Sequence, residues 1–330
     1  MEINSQILVI LKEYYDIEAS FIVQLTGGWS ALAFLIEDKS KKYFLKAFDK
    51  KRPAVAQWIG TIDRYIPLVK WLRDNTILSN HIVSPIFTKK NSSKCEDEQY
   101  VYLLSEYIEG TTIGESALSY NQINELAKII GVLHHSTSSL PRDLTEQQTK
   151  ENFDIEYCDY LLSFLYKDLY TKEDILLQIV KPYTNDLLHN IDRMRILSNS
   201  LKHKPLQFVL CHADAHNWNI VQGQNMMLVD WECLRIAPPE QDLILNITEP
   251  YAAQFLLEYK KYMNYDKPDL DAFEFYFLKR KLEDIREWIK QLRDEDLVKS
   301  EDSTVELLRR TLKECTSTRS FRSNMESFLF

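Results

Sequence analysis

One stretch constrains this chain more than any other: Phe208-Val-Leu-Cys-His-Ala-Asp-Ala-His-Asn-Trp-Asn-Ile-Val221, followed closely by Met227-Leu-Val-Asp-Trp-Glu232. The apolar runs Phe208–Leu210 and Met226–Val229 are too short for helices and fit buried strands or very short core pieces. Between them stand His212, Asp214, His216, Asn217 and Asn219, with Asp230 just beyond the second run. Carboxylates and amides crowded between buried strands cost desolvation energy, so a fold keeps them there to bind something. The expected local order is strand, polar loop, short strand, turn, strand, and an acid at a strand end.

The chain leading up to this stretch changes character once. Residues 4–16 place Ile7, Ile10, Leu11 and Tyr14 at helical spacing. Phe21–Leu25 and Ala31–Glu37 then flank Thr26-Gly-Gly-Trp-Ser30 as two arms of a hairpin. The whole chain has seven glycines, so the adjacent Gly27 and Gly28 are informative. Glycine permits close backbone approach, which suits a loop covering phosphates and suits a plain hairpin turn equally well. Tyr43–Phe48 forms a third strand, with Lys46 between Leu45 and Ala47. That lysine either lies on a solvated face or points into a cleft and meets phosphate. Residues 53–74, opened by Pro53, predict a helix, and His81–Phe87 and Gln99–Ile108 predict two further strands. Five strands and a helix make a compact α+β lobe over residues 1–104, and Ser105–Gly110 makes a linker.

Residues 111–330 are mainly helical in pattern, with amphipathic segments at 121–135, 154–170, 173–198, 249–263, 269–293 and 302–316. Ser119 or Asn121 caps the first of these. His134 and His135 end it, where a cationic or capping role is favoured over metal ligation. The central loop is set into this helical half.

Composition removes several classes of function. Hydrophobic content of 45% and charged content of 27% are ordinary for a globular protein. A net charge of -9 argues against nucleic acid as the main ligand. It is compatible with a cationic small substrate. No apolar run approaches the ~20 residues needed to cross a bilayer. No basic segment followed by an apolar core opens the chain, so a cytoplasmic protein is expected. The five cysteines lack CxxC spacing and predict reduced thiols without structural zinc.

Taken on their own chemistry, Asp214, Asn219 and Asp230 suggest metal-dependent group transfer. Asp230 leaves a buried strand at a fixed point, as a magnesium ligand must. A loop of the length between Asp214 and Asn219 can turn the first toward a hydroxyl and the second toward a metal. Phosphoryl transfer needs such positioning, metal neutralisation and one carboxylate for the acceptor proton.

These residues also carry a resemblance. His212-Ala-Asp-Ala-His-Asn-Trp-Asn219 resembles the HGDLHxxN motif of the aminoglycoside phosphotransferase family, and Val229-Asp-Trp-Glu232 resembles its acidic metal motif. Pro239-Glu-Gln-Asp-Leu243 is similar to the family's following element. The likeness runs in order from about residue 20 to 245. It implies a protein-kinase-like α+β fold, with a small β-rich N-lobe and a large mainly helical C-lobe. It also implies ATP (or GTP) and Mg2+ as cofactors. By the same resemblance Asp214 is the catalytic base, and Asn219 and Asp230 are the metal ligands. Lys46 meets the α- and β-phosphates beneath a loop containing Gly27, Gly28 and Ser30. Ser105, Glu106 and Ile108 line the adenine hinge, and His212, His216 and Asp242 support the catalytic loop.

Three departures from the pattern are visible. Ala213 stands for a glycine, and Asn217-Trp218 for the common Pro-Gly pair. The 53–74 helix contains no glutamate to pair with Lys46, which leaves Asp63 as the candidate and Gln57 as an uncharged alternative.

Within the family, the stretch Cys211–Ile244 is similar to spectinomycin phosphotransferases, which implies a hydroxyl of an aminocyclitol or aminoglycoside as acceptor and a role in antibiotic resistance. Carboxylates for a cationic acceptor are sought at Glu232 and on the late helix at Glu283, Asp284 and Glu287, with Trp288 available for cation–π contact. An exposed charged face with Trp288 in the core explains that helix as well. A kinase of the same fold acting on choline, homoserine or methylthioribose would use the same catalytic residues. A nucleotide-binding module without catalysis is the third reading, motivated by the absent helix glutamate. No obligate protein partner is implied.

Overall fold

A computed structural model describes residues 3–25, 31–39, 41–52, 55–168, 175–293 and 301–329. The chain divides into two compact units. The first comprises 1–150, 209–236 and 245–264; the second comprises 151–208, 237–244 and 265–330.

The first unit begins with helix α1 (Ile3–Ile10), which continues through one wide turn at Leu11–Tyr15. Strands β1 (Phe21–Leu25), β2 (Leu32–Glu37) and β3 (Lys42–Asp49) follow, then helix α2 (Ala56–Asn75). After them come β4 (Pro85–Ile86), β5 (Cys95–Glu96) and β6 (Tyr100–Glu106). These six strands form one antiparallel sheet in the order β1-β2-β3-β6-β4, with β5 also on β6. The expected strand at 81–87 shrinks to two residues. The expected charged loop at 89–98 contributes a short strand of its own.

Alternation along the strands decides which face is core. Phe34 and Ile36 of β2, Tyr43, Leu45 and Ala47 of β3, and Tyr100, Tyr102 and Leu104 of β6 join Ile7, Ile10 and Leu11 in one buried cluster. Successive strand residues point to opposite faces, so Ala33, Phe44, Lys46, Leu103 and Ser105 share the other face. The register agrees, pairing Ala33 with Lys46, Lys46 with Leu103, and Phe44 with Ser105. Lys46 is therefore on the face that α1 leaves uncovered.

Beyond the sheet, β7 (Thr111–Thr112) leads to α3 (Tyr120–His135) and the short α4 (Arg142–Glu146). Of the two expected caps for α3 it is Ser119 that acts, in a reciprocal capping box with Gln122. His134 lies inside the core. It is 1% exposed, and its Nδ1 lies 2.8 Å from the Tyr259 hydroxyl. An apolar stripe ending in histidine put the ring into the core.

The second unit is helical. It takes in α5 (Glu156–Ser163), α6 (Ile175–Val180) and α7 (Thr184–Leu201). The polypeptide then returns to the first unit through β8 (Val209–Cys211), β9 (Ile220–Gln222), β10 (Met226–Leu228) and β11 (Arg235–Ala237). β9 pairs with β10 and with β7, and β8 pairs with β11. Helices α8 (Glu240–Ile247) and α9 (Ala252–Tyr259) follow, then α10 (Leu270–Arg293), α11 (Glu301–Cys315) and α12 (Phe321–Leu329). Helices α8 and α12 were not expected. Both are short, and neither has the length of apolar repeat that marks a helix in sequence.

Ion pairs tie the last helix into the second unit. Arg193 of α7 grips Glu274 of α10 with two bonds of 2.6 Å, and Arg322 of α12 reaches Asp271 at 2.7 Å and Glu274 at 3.1 Å. The five cysteines are free thiols, and burial raises the pKa values of Cys95, Cys158 and Cys315 to about 11, 12 and 12. Among the described residues, no helix is long and apolar enough to cross a membrane.

Candidate active site

The expected strand–loop–strand–turn–strand order is present, and the loop's shape follows from two backbone residues and one buried ring. Ala213 adopts φ +68° and Asp230 φ +62°, a left-handed conformation that non-glycine residues avoid. Ala213 thus reproduces the turn that a glycine would make without strain. His212 is fully buried. Its Nε2 lies 3.0 Å from the Val229 carbonyl, and its Nδ1 accepts from the Asp214 N–H at 3.3 Å. That pairing requires the neutral Nε2–H tautomer. The ring also packs edge-on against Trp231, with centroids 4.6 Å apart. One side chain therefore joins the loop to the strand end that carries Asp230.

Asn219 is 6% exposed and donates from Nδ2 to the Asp214 carbonyl at 2.9 Å and to its carboxylate Oδ2 at 3.0 Å. Its amide nitrogen is thereby committed to Asp214, and its Oδ1 is the atom a cation would take. The Val229 N–H bonds to the Asn219 carbonyl at 2.9 Å, a second tie between loop and strand end. His216 Nε2 lies 3.3 Å from the other carboxylate oxygen of Asp214, Oδ1. Asp214 is thus held from both sides. The sequence offered His216 no chemical role beyond support of the loop, and here it orients the carboxylate itself.

Lys46 closes the cluster from β3. Its Nζ is 2.5 Å from Asp230 Oδ1 and 2.6 Å from Glu232 Oε1. Burial opposes the ammonium charge, but the two carboxylates outweigh it and raise the lysine pKa. Burial likewise works against ionised Asp230, yet Lys46 draws its pKa below the ordinary value. Glu232 is buried more completely, and burial raises its pKa. The side chains of Lys46 and Glu232 are 16% and 9% exposed, against 42% for Asp230. Asp230 is the member of the trio open to a ligand.

Two expectations need correction at this point. Asp63 is not the partner of Lys46, for its carboxylate accepts from Lys94 Nζ at 2.5 Å and Ser93 Oγ at 2.8 Å. Helical spacing carries Asp63 off the face that α2 turns inward through Ile62, Tyr65, Ile66 and Val69. Glu232, expected among acceptor contacts, is instead engaged by Lys46. No local signal in the sequence marks that pairing, since Lys46 and Glu232 lie far apart along the chain.

The hinge residues lie along and after β6. Glu106 faces Tyr43 across the ladder and sends its N–H to the Ser84 carbonyl at 3.0 Å. Its own carbonyl points to the same side, away from β3. The Ile108 N–H bonds to no backbone carbonyl among the described residues. Ser105 Oγ donates to the Phe44 carbonyl at 3.4 Å. Glycine is required just past this point: a Cβ on Gly223 would fall 2.4 Å from the Glu109 carbonyl oxygen, and one on Gly110 2.7 Å from that of Gln222.

Gly27, Gly28 and Ser30 lie outside the described residues, as does Pro53. The remaining candidates belong to the second unit. Asp242 is fully buried on α8. Glu283, Asp284, Glu287 and Trp288 on α10 are half-buried, neither an open charged face nor core. Glu287 accepts from Gln291 at 3.3 Å. Glu240, near the loop in sequence, is buried and accepts from the Tyr265 hydroxyl at 2.8 Å and the Asp269 N–H at 2.9 Å, so it braces the start of α10.

A small antiparallel sheet with an inward lysine, joined to a polar loop of Asp, Asn and a second Asp between short strands, defines a kinase-like fold of the phosphotransferase type. Residues 22–276 match the pattern of the phosphotransferase enzyme family, and the chain belongs to that family. It is an enzyme, a phosphotransferase. Solved structures agree on the fold. The crystal structure of spectinomycin phosphotransferase in complex with ADP and spectinomycin is 21% identical, with a TM-score of 0.78, and the match covers 96% of this chain and 98% of that one. An amicoumacin kinase in complex with AMP-PNP and Ca2+ is 14% identical, with a TM-score of 0.64 over 94% and 92% of the two chains. Choline kinase from Streptococcus pneumoniae is 17% identical, with a TM-score of 0.59 over 96% and 100%. No curated protein matches the chain in sequence.

Proposed function

We propose that this kinase transfers the γ-phosphoryl group of ATP to a hydroxyl of an aminocyclitol or aminoglycoside antibiotic, with spectinomycin as the specific acceptor and resistance as the consequence. The observation that carries the reading is the cluster of Lys46, Asp214, Asn219 and Asp230 within one compact unit. Asp214, braced by Asn219 and His216, takes the proton of the acceptor hydroxyl as its oxygen bonds to the γ-phosphorus. The bond from that phosphorus to the bridging oxygen breaks, and ADP leaves. Lys46 offers its ammonium to the α- and β-phosphates. The Glu106 carbonyl and the Ile108 N–H suit the donor and acceptor edge of adenine.

Asn219 Oδ1 and the Asp230 carboxylate are hard oxygen donors, the kind magnesium selects. Bound there, Mg2+ would neutralise phosphate charge. Hinge recognition by backbone groups also admits GTP, since neighbouring structures of this fold include GDP complexes.

A second reading has its own support: an aminopropanol kinase and a choline kinase share the fold. Their named substrates, like spectinomycin, carry nitrogen and hydroxyl in one small molecule. Under that reading the acceptor is a metabolic amino alcohol. A non-catalytic module is disfavoured by the two carboxylates already holding Lys46.

The test is ADP release measured against spectinomycin, several aminoglycosides, choline, homoserine, methylthioribose and aminopropanol. Turnover with spectinomycin, abolished in Asp214→Ala, is expected. Turnover with an amino alcohol alone would replace the antibiotic reading, and nucleotide binding without acceptor-dependent turnover would replace both.

A further inference from the structure

Kinase-like folds position the strand lysine with a glutamate from the neighbouring helix. Here that helix, α2, has no glutamate, and its two aspartates are engaged elsewhere, Asp63 by Lys94 and Ser93 and Asp74 by Lys70. The turn Trp231–Cys233 packs against α2. A small cavity of about 160 Å³ is lined by Gln57, Trp58, Thr61, Arg64 and Tyr65 of α2 and, from the turn, by Glu232. The helix thus brings no acid to this cavity, and the acid that lines it comes from the turn.

We propose that Glu232 is the positioning residue for Lys46, supplying from the turn after Asp230 the carboxylate that α2 lacks. The inference rests on the phosphotransfer reading above. Three observations carry it. Glu232 Oε1 lies 2.6 Å from Lys46 Nζ, a charge-assisted hydrogen bond of full strength. Its side chain is 9% exposed, while that of Asp230 is 42% exposed, so an entering cation reaches Asp230 first. The residue between them is anchored, since Trp231 is 5% exposed and donates from Nε1 to the Leu228 carbonyl at 2.9 Å. Once Asp230 turns to a cation, Glu232 keeps the ammonium aimed at the nucleotide. The division of labour is spatial: the outer carboxylate serves the ligand and the inner one serves the lysine.

Glu232→Gln and Glu232→Asp, each checked for an unchanged melting profile, test this by two routes. In turnover, the glutamine variant is expected to raise the KM for ATP by about tenfold and to lower kcat. The acceptor KM and the half-saturating Mg2+ concentration stay within about twofold of wild type, with partial recovery in Glu232→Asp. Independently of turnover, acylation of Lys46 by an amine-reactive reagent, followed by mass spectrometry of the ligand-free enzyme, is expected to quicken several-fold in Glu232→Gln as the ammonium loses a partner. Rescue of the variant by excess Mg2+ would make Glu232 a cation ligand and overturn the proposal. A rise confined to the acceptor KM would make it an acceptor contact, and unchanged kinetics with unchanged Lys46 acylation would make it a bystander. If wild type turns over no acceptor, the phosphotransfer reading fails while the acylation comparison still decides whether Glu232 holds Lys46.

Discussion

At the scale of single residues, the site spends conformational energy at two places, Ala213 and Asp230, both left-handed. The Asp230 side chain accepts the Lys46 ammonium, so its strain has a use. Ala213 has no such role, and a methyl group there is a local cost. A left-handed L-residue loses about 1–2 kcal/mol, against about 0.5–1 kcal/mol for the extra freedom glycine gains in the unfolded chain. Ala213→Gly is therefore expected to stabilise the protein by roughly 0.5–1 kcal/mol in urea titration. A destabilised variant would mean that the loop draws on that methyl for packing.

At the scale of elements, the contact of greatest consequence is between the hinge and the turn joining β9 to β10. Glu109 and Gly223 approach so closely that any side chain at 223 meets backbone, which cannot rotate away as a flexible side chain would. Gly223→Ala must push the Glu109 carbonyl aside, at roughly 1–3 kcal/mol. Because Glu109 follows the hinge residue Ile108, the same shift is expected to raise the KM for ATP while leaving the acceptor KM unchanged. Loss of stability without any change in nucleotide affinity would separate this contact from the hinge. The six-stranded sheet shows the same dependence on neighbours. β3 was legible from its alternation and β6 from its apolar run, β4 was expected but over a longer stretch, and β5 was not expected; the two residues of each short strand pair with β6.

At the scale of the whole molecule, stability carries a signature of one buried acid. Burial pushes Glu240 up to about 7 from an ordinary value of 4.5, with its hydrogen bonds from the Asp269 N–H and the Tyr265 hydroxyl opposing the shift. Between those two values the folded protein holds a proton that the unfolded chain has released. Stability therefore falls as pH rises through this window and levels off above it. The full effect is roughly 3 kcal/mol at 1.36 kcal/mol per unit. Urea midpoints from pH 4.5 to 8 are expected to show this decline in wild type relative to Glu240→Gln, and parallel curves for the two proteins would remove Glu240 as its source.

What the amino-acid sequence determined by itself is the family, the fold class and the order of the parts. The strand–loop–strand pattern around Asp214, Asn219 and Asp230 depends on local alternation and residue type, and both are written in consecutive positions. What tertiary structure alone decided is pairing across long stretches of chain. Lys46 and Glu232 stand 186 positions apart, and nothing local distinguishes Glu232 from an acid awaiting a substrate. Asp63 is the converse: its place near the middle of the helix made it the candidate, and Lys94, from a segment that looked like loop, claimed it first. A carboxylate goes to the nearest cation that folding brings within reach, and that distance depends on packing, which no single stretch of sequence encodes.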